Sequence, residues 1–170
     1  MKYALITGSS GLVGSESSKF FHNKNFKILG IDNDNRSYFF GPSASTKKMS
    51  NKLKKDLKNY KHFNTDIRSK RNLEKIFKKY KNKIKCIIHT AAQPSHDWAA
   101  KEPLTDFTIN ANGTLNLLFL AKKYCKKSVF IYVSTNKVYG DTPNYLPLKE
   151  KKKRFEIKSN HFFSKGINEK

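Results

Sequence analysis

The stretch Leu5-Ile6-Thr7-Gly8-Ser9-Ser10-Gly11-Leu12-Val13-Gly14 decides the fold of this chain. It predicts a buried strand that ends in a glycine turn, and the turn opens a helix. Gly8 permits a sharp turn, Gly11 permits close approach of a phosphate, and Gly14 permits close packing of the helix on the strand. The helix would also present free N–H groups and its positive dipole end to an anion. The pattern predicts a dinucleotide pyrophosphate site, and the alternative is a plain loop. The residues expected at the pyrophosphate are Gly8, Ser10, Gly11, Leu12, Val13 and Gly14.

The next apolar run supports the dinucleotide interpretation. Phe26–Asp32 is typical of a second strand, and it ends in an acid 18 residues after Gly14. In dinucleotide-binding folds, an acid about 20 residues beyond the glycines receives the hydroxyls of the adenosine ribose. We therefore expect the Asp32 carboxylate to lie beside that ribose.

The charge and cysteine content narrow the classes of partner. The formal net charge is +22, but lysines fall between the apolar runs and only Arg36, Arg68, Arg71 and Arg154 are arginine. This distribution favours a solvated surface over specific nucleic-acid recognition, and nonspecific polyanion binding is the alternative. The two cysteines have neither metal-ligand nor disulfide spacing, so no metal is expected. With neither a signal peptide nor an apolar run of membrane-spanning length, a cytoplasmic protein is expected.

Apolar strands alternate with helical patterns, which predicts a parallel sheet with crossover helices. The expected fold is α/β, a Rossmann-type doubly wound parallel sheet of strand order 3-2-1-4-5, incomplete at its C-terminal end. Residues 1–140 would form the nucleotide-binding domain, and 141–170 an irregular basic segment that begins a truncated catalytic or substrate region. The predicted strands are Lys2–Thr7, Lys27–Asp32, His62–Asp66, Lys85–His89 and a buried Ser128–Ser134. The predicted helices are Leu12–Asn23, Lys48–Tyr60, Asn72–Tyr80 and Pro103–Lys123, with a loop at Asn33–Ser45.

Six segments, in this order, resemble the extended short-chain dehydrogenase/reductase family of NAD-dependent nucleotide-sugar epimerases and dehydratases. Within that family, the last segment is most similar to the CDP-paratose 2-epimerase (CDP-tyvelose epimerase) branch. The segments are Thr7–Gly14, Asp32–Asn33, Asp66–Arg68, His89–Gln93, Asn110–Thr114 and Ser134–Asp141.

The resemblance implies NAD as the cofactor. Asp32 would bind the ribose and repel a 2′-phosphate, whereas Arg36 leaves open dual use with NADP. Asp66 and Ile67 would flank the adenine, although Asp66 is also a candidate helix N-cap. The remaining cofactor contacts that the resemblance implies are Asn33, Thr90, Ala91, Ala92 and Gln93.

The resemblance also implies roles near the substrate. Thr135 aligns with the family's active-site serine or threonine, and the alternative is an ordinary strand-end threonine. Asn110 would hold the loop after the fourth strand, and His89 is expected to pack beneath the site. Trp98 is either a substrate-loop aromatic or a loop anchor. Asn136 and Lys137 are further candidate substrate contacts.

The family's catalytic Tyr-x-x-x-Lys pair is not found on a suitable helix. Tyr145 and Lys149 have the spacing, but Pro147 lies between them and disrupts a helix. We therefore expect an N-terminal portion of a nucleotide-sugar epimerase that is inactive alone and forms a homodimer when full length. The alternatives are a dehydratase or UDP-sugar 4-epimerase of the same family, or a non-catalytic NAD-binding module.

Overall fold

The computed structural model describes residues 1–135 and 140–165, and these separate into two compact units, Met1–Val133 and Ser134–Lys170. The first unit contains a five-stranded sheet in which all neighbouring strands are parallel. The strands are β1 (Tyr3–Thr7), β2 (Lys27–Ile31), β3 (Tyr60–Phe63), β4 (Ile84–His89) and β5 (Val129–Tyr132), in the order β3-β2-β1-β4-β5. This confirms the predicted Rossmann-type topology.

Helices connect the strands. They are α1 (Leu12–Asn23), α2 (Asn35–Phe40), α3 (Lys47–Asp56), α4 (Lys70–Tyr80), α5 (His96–Lys101), α6 (Pro103–Phe107) and α7 (Gly113–Tyr124). The two faces of the sheet bury separate apolar clusters. One contains Leu5, Phe77 and Leu117, and the other contains Ile6, Ile28 and Cys86. Because α1 begins and ends at the predicted residues, the sequence pattern located this helix correctly.

Several predicted elements differ from the structure. The loop at Asn33–Ser45 contains α2 and a 3₁₀ turn at Pro42–Ala44. The third strand begins at Tyr60, inside the segment that we expected to be helical, because α3 ends at Asp56 and Leu57 is already extended. The fifth strand is mostly exposed rather than buried, since it lies at the edge of the described sheet and pairs there with β4 alone.

The helix predicted at Pro103–Lys123 is interrupted. A π-helical turn at Thr108–Asn112 separates α6 from α7, and such turns are frequent at functional sites. Asn110 lies in this turn, where its Oδ1 accepts from the Gln93 N–H at 2.9 Å and its Nδ2 donates to the Gln93 carbonyl at 3.0 Å. The turn thus fixes the loop that follows β4, as expected for Asn110.

The second unit contains secondary structure in the segment predicted to be irregular. Strands β6 (Leu148–Lys151) and β7 (Arg154–Ile157) form an antiparallel hairpin. Arg154 and Lys151 both pair with Glu156 within it. The boundary between the units also falls at Val133, seven residues before the predicted domain limit at residue 140. Tyr145 lies in a 3₁₀ turn and Lys149 in β6, so the two are not on one helix.

His89 connects the end of β4 to both β1 and α7. It is 2% exposed; its Nδ1 lies 2.7 Å from Thr7 Oγ1 and its Nε2 lies 2.9 Å from Thr114 Oγ1. Because the Thr114 hydroxyl donates to the Asn110 carbonyl, it accepts from His89 Nε2–H, and Nδ1 accepts from Thr7. His89 is therefore a neutral structural residue, and burial lowers its pKa from 6.5 to about 4.

This pKa predicts a pH-dependent stability. Between pH 6.5 and about 4 the unfolded chain binds a proton at His89 that the folded chain does not. The free energy of unfolding should therefore fall by up to about 3 kcal/mol as the pH falls through this window. Urea unfolding at stepped pH measures this fall, and His89→Gln should remove it. The same pH dependence in both proteins would contradict this assignment.

Candidate functional site

The glycine turn at the end of β1 is shaped by close contacts that exclude side chains. Gly8 has a φ of +62°, and a Cβ there would lie 2.9 Å from both Ala91 N and Thr90 Oγ1. A Cβ on Gly14 would overlap the Gly8 carbonyl and lie 2.9 Å from the Cα of Ser9. Glycine at these two positions therefore lets the turn pack against the loop after β4 and lets α1 pack against the turn.

Gly11 is less closely enclosed than Gly8 and Gly14. The nearest atom to a Cβ at Gly11 is the Gly8 oxygen, at 3.3 Å. Within the described chain no side chain caps α1 at this point, and its first turn contains no acidic residue. Leu12 is 85% exposed and Val13 is also exposed. The backbone N–H groups at the start of α1 are therefore available to an anion.

The Asp32 carboxylate connects this turn to the end of β2. Its Oδ2 accepts from the Ser10 N–H at 2.9 Å, and its Oδ1 accepts from the Asp34 N–H at 2.9 Å and the Thr46 hydroxyl at 3.1 Å. An ionised carboxylate offers about four acceptor positions, so beyond these three hydrogen bonds capacity remains for one ribose hydroxyl. The single Thr46 proton can go to Asp34 Oδ1 instead, which also lies 3.1 Å away, and this frees a second position for the other hydroxyl of the diol. Ser10 Oγ is buried and has no hydrogen-bond partner among the described residues. This orphaned hydroxyl, the free backbone donors and the carboxylate fit the phosphate and ribose of a dinucleotide.

Asp34 and Thr46, which sequence reasoning missed, hold the segment behind Asp32. Asp34 has a φ of +60°, and its carboxylate accepts from the Thr46 N–H at 2.6 Å and from the hydroxyls of Ser45 and Ser37. Burial alone would raise the pKa of Asp34, but these hydrogen bonds lower it overall. The Asp-x-Asp spacing of residues 32 and 34 was the available sequence signal, whereas nothing in the polar stretch marked Thr46.

Asp66 and Ile67 follow β3. Asp66 accepts from the Arg68 backbone and guanidinium, and from Asn33 Nδ2 at 3.0 Å. Burial would raise the pKa of Asp66, but these hydrogen bonds, the Arg68 ones above all, lower it overall. Asp66 is not the N-cap of α4, because that position is Ser69. Ile67 is buried against α7, where a Cβ on Gly113 would lie 2.5 Å from its Cδ1.

The four residues after His89 differ in how they face solvent. Thr90 Oγ1 donates to the Thr7 carbonyl at 2.7 Å, whereas Ala91 is half-buried and Ala92 is exposed. Gln93 is buried, and its amide is bonded to the Ser95 backbone and to Asp106. The two alanines thus offer surface for a ligand, while the Gln93 side chain is engaged within its own loop.

Aromatic residues join the segments that follow β2 and β4. Trp98 Nε1 donates to the Phe39 carbonyl at 2.6 Å, and its ring centroid lies 5.6 Å from those of Tyr38 and Phe39. The Tyr38 hydroxyl donates to Glu102 at 2.8 Å. Trp98 therefore acts as a loop anchor between α2 and α5, one of the two roles that the sequence allowed.

Thr135 is described, but it belongs to the second unit, and its catalytic role stays a prediction. The candidate substrate contacts Asn136 and Lys137 lie outside the described residues. In the described part of the chain, no group of three or more metal-ligating side chains comes together. No described helix has the length and apolar character needed to cross a membrane.

A parallel sheet with a glycine turn after β1 and a carboxylate after β2 defines a Rossmann-type dinucleotide-binding domain. The family model described as "NAD dependent epimerase/dehydratase family" matches residues 4–165. The chain therefore belongs to the NAD-dependent epimerase/dehydratase family.

Individual relatives agree with this assignment. The chain is 34% identical over 141 residues to the CDP-paratose 2-epimerase of Salmonella typhi, covering 83% of this chain and 39% of the relative. It is 33% identical over 147 residues to the UDP-glucuronate 4-epimerase of Thermodesulfobacterium geofontis, covering 85% and 43%. Among solved structures, the UDP-N-acetylglucosamine 4-epimerase of Methanobrevibacter ruminantium, in complex with UDP-N-acetylmuramic acid, matches with a TM-score of 0.65 at 30% identity, covering 88% and 42%. The chain thus spans about two fifths of the length of these relatives.

The geometry of the turn predicts that alanine has different effects at two of its glycines. Gly11→Ala places a methyl group 3.3 Å from the Gly8 oxygen, a contact that a small shift relieves, and the methyl group should weaken NAD⁺ binding at least about tenfold, or about 1.4 kcal/mol, without unfolding the protein. Gly14→Ala should destabilise the fold itself, because its Cβ overlaps the Gly8 carbonyl. Calorimetric titration and thermal unfolding of both variants measure these effects. Equal stability of the two variants would contradict this geometry.

Proposed function

We propose that this chain binds NAD at the glycine turn and forms the cofactor-binding part of a nucleotide-sugar epimerase. The proposal rests on one observation. The free N–H groups of α1, the orphaned Ser10 hydroxyl and the Asp32 carboxylate lie together at the glycine turn. A pyrophosphate would lie against the first turn of α1, and the adenosine ribose against Asp32. Asp66, Ile67 and the exposed faces of Ala91 and Ala92 would border the adenine.

The proposed substrate is a nucleotide sugar. When bound, NAD⁺ would supply the hydride acceptor for oxidation of a sugar carbon, and the NADH so formed would supply the hydride for re-reduction from the opposite face. In this proposal the Thr135 hydroxyl orients the reacting sugar hydroxyl or carbonyl. The general base, a tyrosine with a lysine four residues later, would lie beyond Lys170. CDP-paratose is the preferred candidate substrate, since the Salmonella relative is 34% identical. An assay of the full-length protein on CDP-paratose and on UDP-glucose separates this reaction from UDP-sugar 4-epimerisation.

The full-length protein is proposed to be a homodimer. Leu115, Leu118 and Phe119 lie on one exposed face of α7, where each is between 45% and 64% exposed. A second copy would cover this apolar face. Sedimentation of the full-length protein distinguishes a dimer from a monomer.

Selectivity between NAD and NADP should depend on the charge of Asp32. Asp32→Asn keeps the size of the side chain but removes the negative charge that repels a 2′-phosphate. We expect it to weaken NAD⁺ binding about tenfold and to reduce the preference for NAD⁺ over NADP⁺. Arg36, which is exposed and stacked on the Phe40 ring at 5.0 Å, is available to a 2′-phosphate. Dissociation constants for both cofactors measure the change, and an unaltered ratio would contradict this role of Asp32.

The proposal also makes a prediction about the gene. The gene of the proposed full-length protein should encode Tyr-x-x-x-Lys within a few tens of codons after codon 170. Sequencing of the transcript tests this directly. An extended frame without the pair would contradict the epimerase proposal and leave a non-catalytic NAD-binding module.

A further inference from the structure

The side chain of Tyr60 reaches from β3 across β2 to the glycine turn. Tyr60 pairs with Ile28 of β2, and its hydroxyl lies 2.9 Å from Ser9 Oγ. Ser9 lies inside the turn, directly after Gly8, and is 0% exposed. The hydrogen bond therefore links β3, which is separated from β1 by β2, to the segment that would hold the pyrophosphate.

Gly30 leaves the space through which this side chain passes. A Cβ at Gly30 would overlap the Tyr60 hydroxyl and lie 2.7 Å from Ser9 Oγ. Glycine weakens the interior of a strand and often marks a close approach of another group. Its presence in the buried strand β2 is explained by the contact between Tyr60 and Ser9.

The surroundings of Tyr60 keep its hydroxyl protonated and oriented. Burial raises the pKa of Tyr60, so the phenol is neutral and able to donate. The Ser10 side chain also lies near this hydroxyl, and His62 Nδ1 lies 3.3 Å from the Tyr60 hydroxyl and 3.3 Å from Ser50 Oγ. Burial lowers the pKa of His62, which favours the neutral ring. Tyr60 is the hydrogen-bond partner that the structure describes for the Ser9 hydroxyl.

The backbone on either side of Ser9 transmits this constraint to the site. The Ser9 N–H donates to the Ile31 carbonyl at 3.2 Å, and the next N–H, that of Ser10, donates to Asp32. We propose that Tyr60 is a positioning residue for the NAD-binding turn and that it acts through the Ser9 hydroxyl. This inference rests on the proposed function, because it assumes that the turn binds NAD.

The experiment compares NAD⁺ affinity in three variants. Tyr60→Phe removes the hydroxyl and keeps the ring, and Ser9→Ala removes its partner. Each should raise the dissociation constant for NAD⁺ about fivefold, the size of one lost hydrogen bond. Because both changes break the same contact, the double variant should bind NAD⁺ no more weakly than either single variant. Ser9→Ala decides the question alone if Tyr60→Phe fails to fold.

Tyr124→Phe is the matched control. It removes a tyrosine hydroxyl that donates to Glu74 at 2.6 Å, in the contact between α7 and α4. It should lower the melting temperature without changing NAD⁺ affinity. Wild-type affinity in Tyr60→Phe, additive losses in the double variant, or an equal loss in Tyr124→Phe would overturn the inference. Absence of NAD⁺ binding by the wild-type protein would instead overturn the proposed function.

Discussion

The hydrogen bond from the Ser10 N–H to the Asp32 carboxylate is the interaction on which the site depends. It joins the turn after β1 to the end of β2, and the same carboxylate accepts from the Asp34 N–H and the Thr46 hydroxyl. Two loops that are distant in sequence thereby have a fixed relative position. If the ribose binds at Asp32, the attached pyrophosphate would lie at the start of α1, because the Asp32 carboxylate holds both the turn before α1 and the segment after β2.

Several layers of the fold support this interaction. The parallel pairing of β1 with β2 and β4 brings the ends of three strands to one edge of the sheet. His89 and Asn110 then fix the loop after β4 through hydrogen bonds to Thr7, Thr114 and Gln93. These contacts are buried or partly buried and neutral, so they define the shape of the site without adding charge beside Asp32.

The sequence located the parts of the fold that depend on local pattern. Three glycines and an apolar run predicted β1, the turn and the limits of α1, and the alternation of strands and helices predicted the sheet order. Sequence reasoning could not predict the contact of Asp34 with Thr46 or that of Tyr60 with Ser9. The paired residues are 12 positions apart in the first contact and 51 in the second. The exposure of β5 was also missed, since an apolar strand has the same pattern at a sheet edge as in its interior. Of the site, the position of the turn and of Asp32 was predictable, whereas its supporting contacts were not.

The central claim is that the glycine turn and Asp32 together hold NAD. A crystal structure of the protein with NAD⁺ tests this most directly. The account predicts the pyrophosphate at the backbone of Gly11–Val13 and the adenosine ribose hydroxyls within hydrogen-bond distance of the Asp32 carboxylate. NAD⁺ bound elsewhere, or a ribose turned away from Asp32, would contradict it.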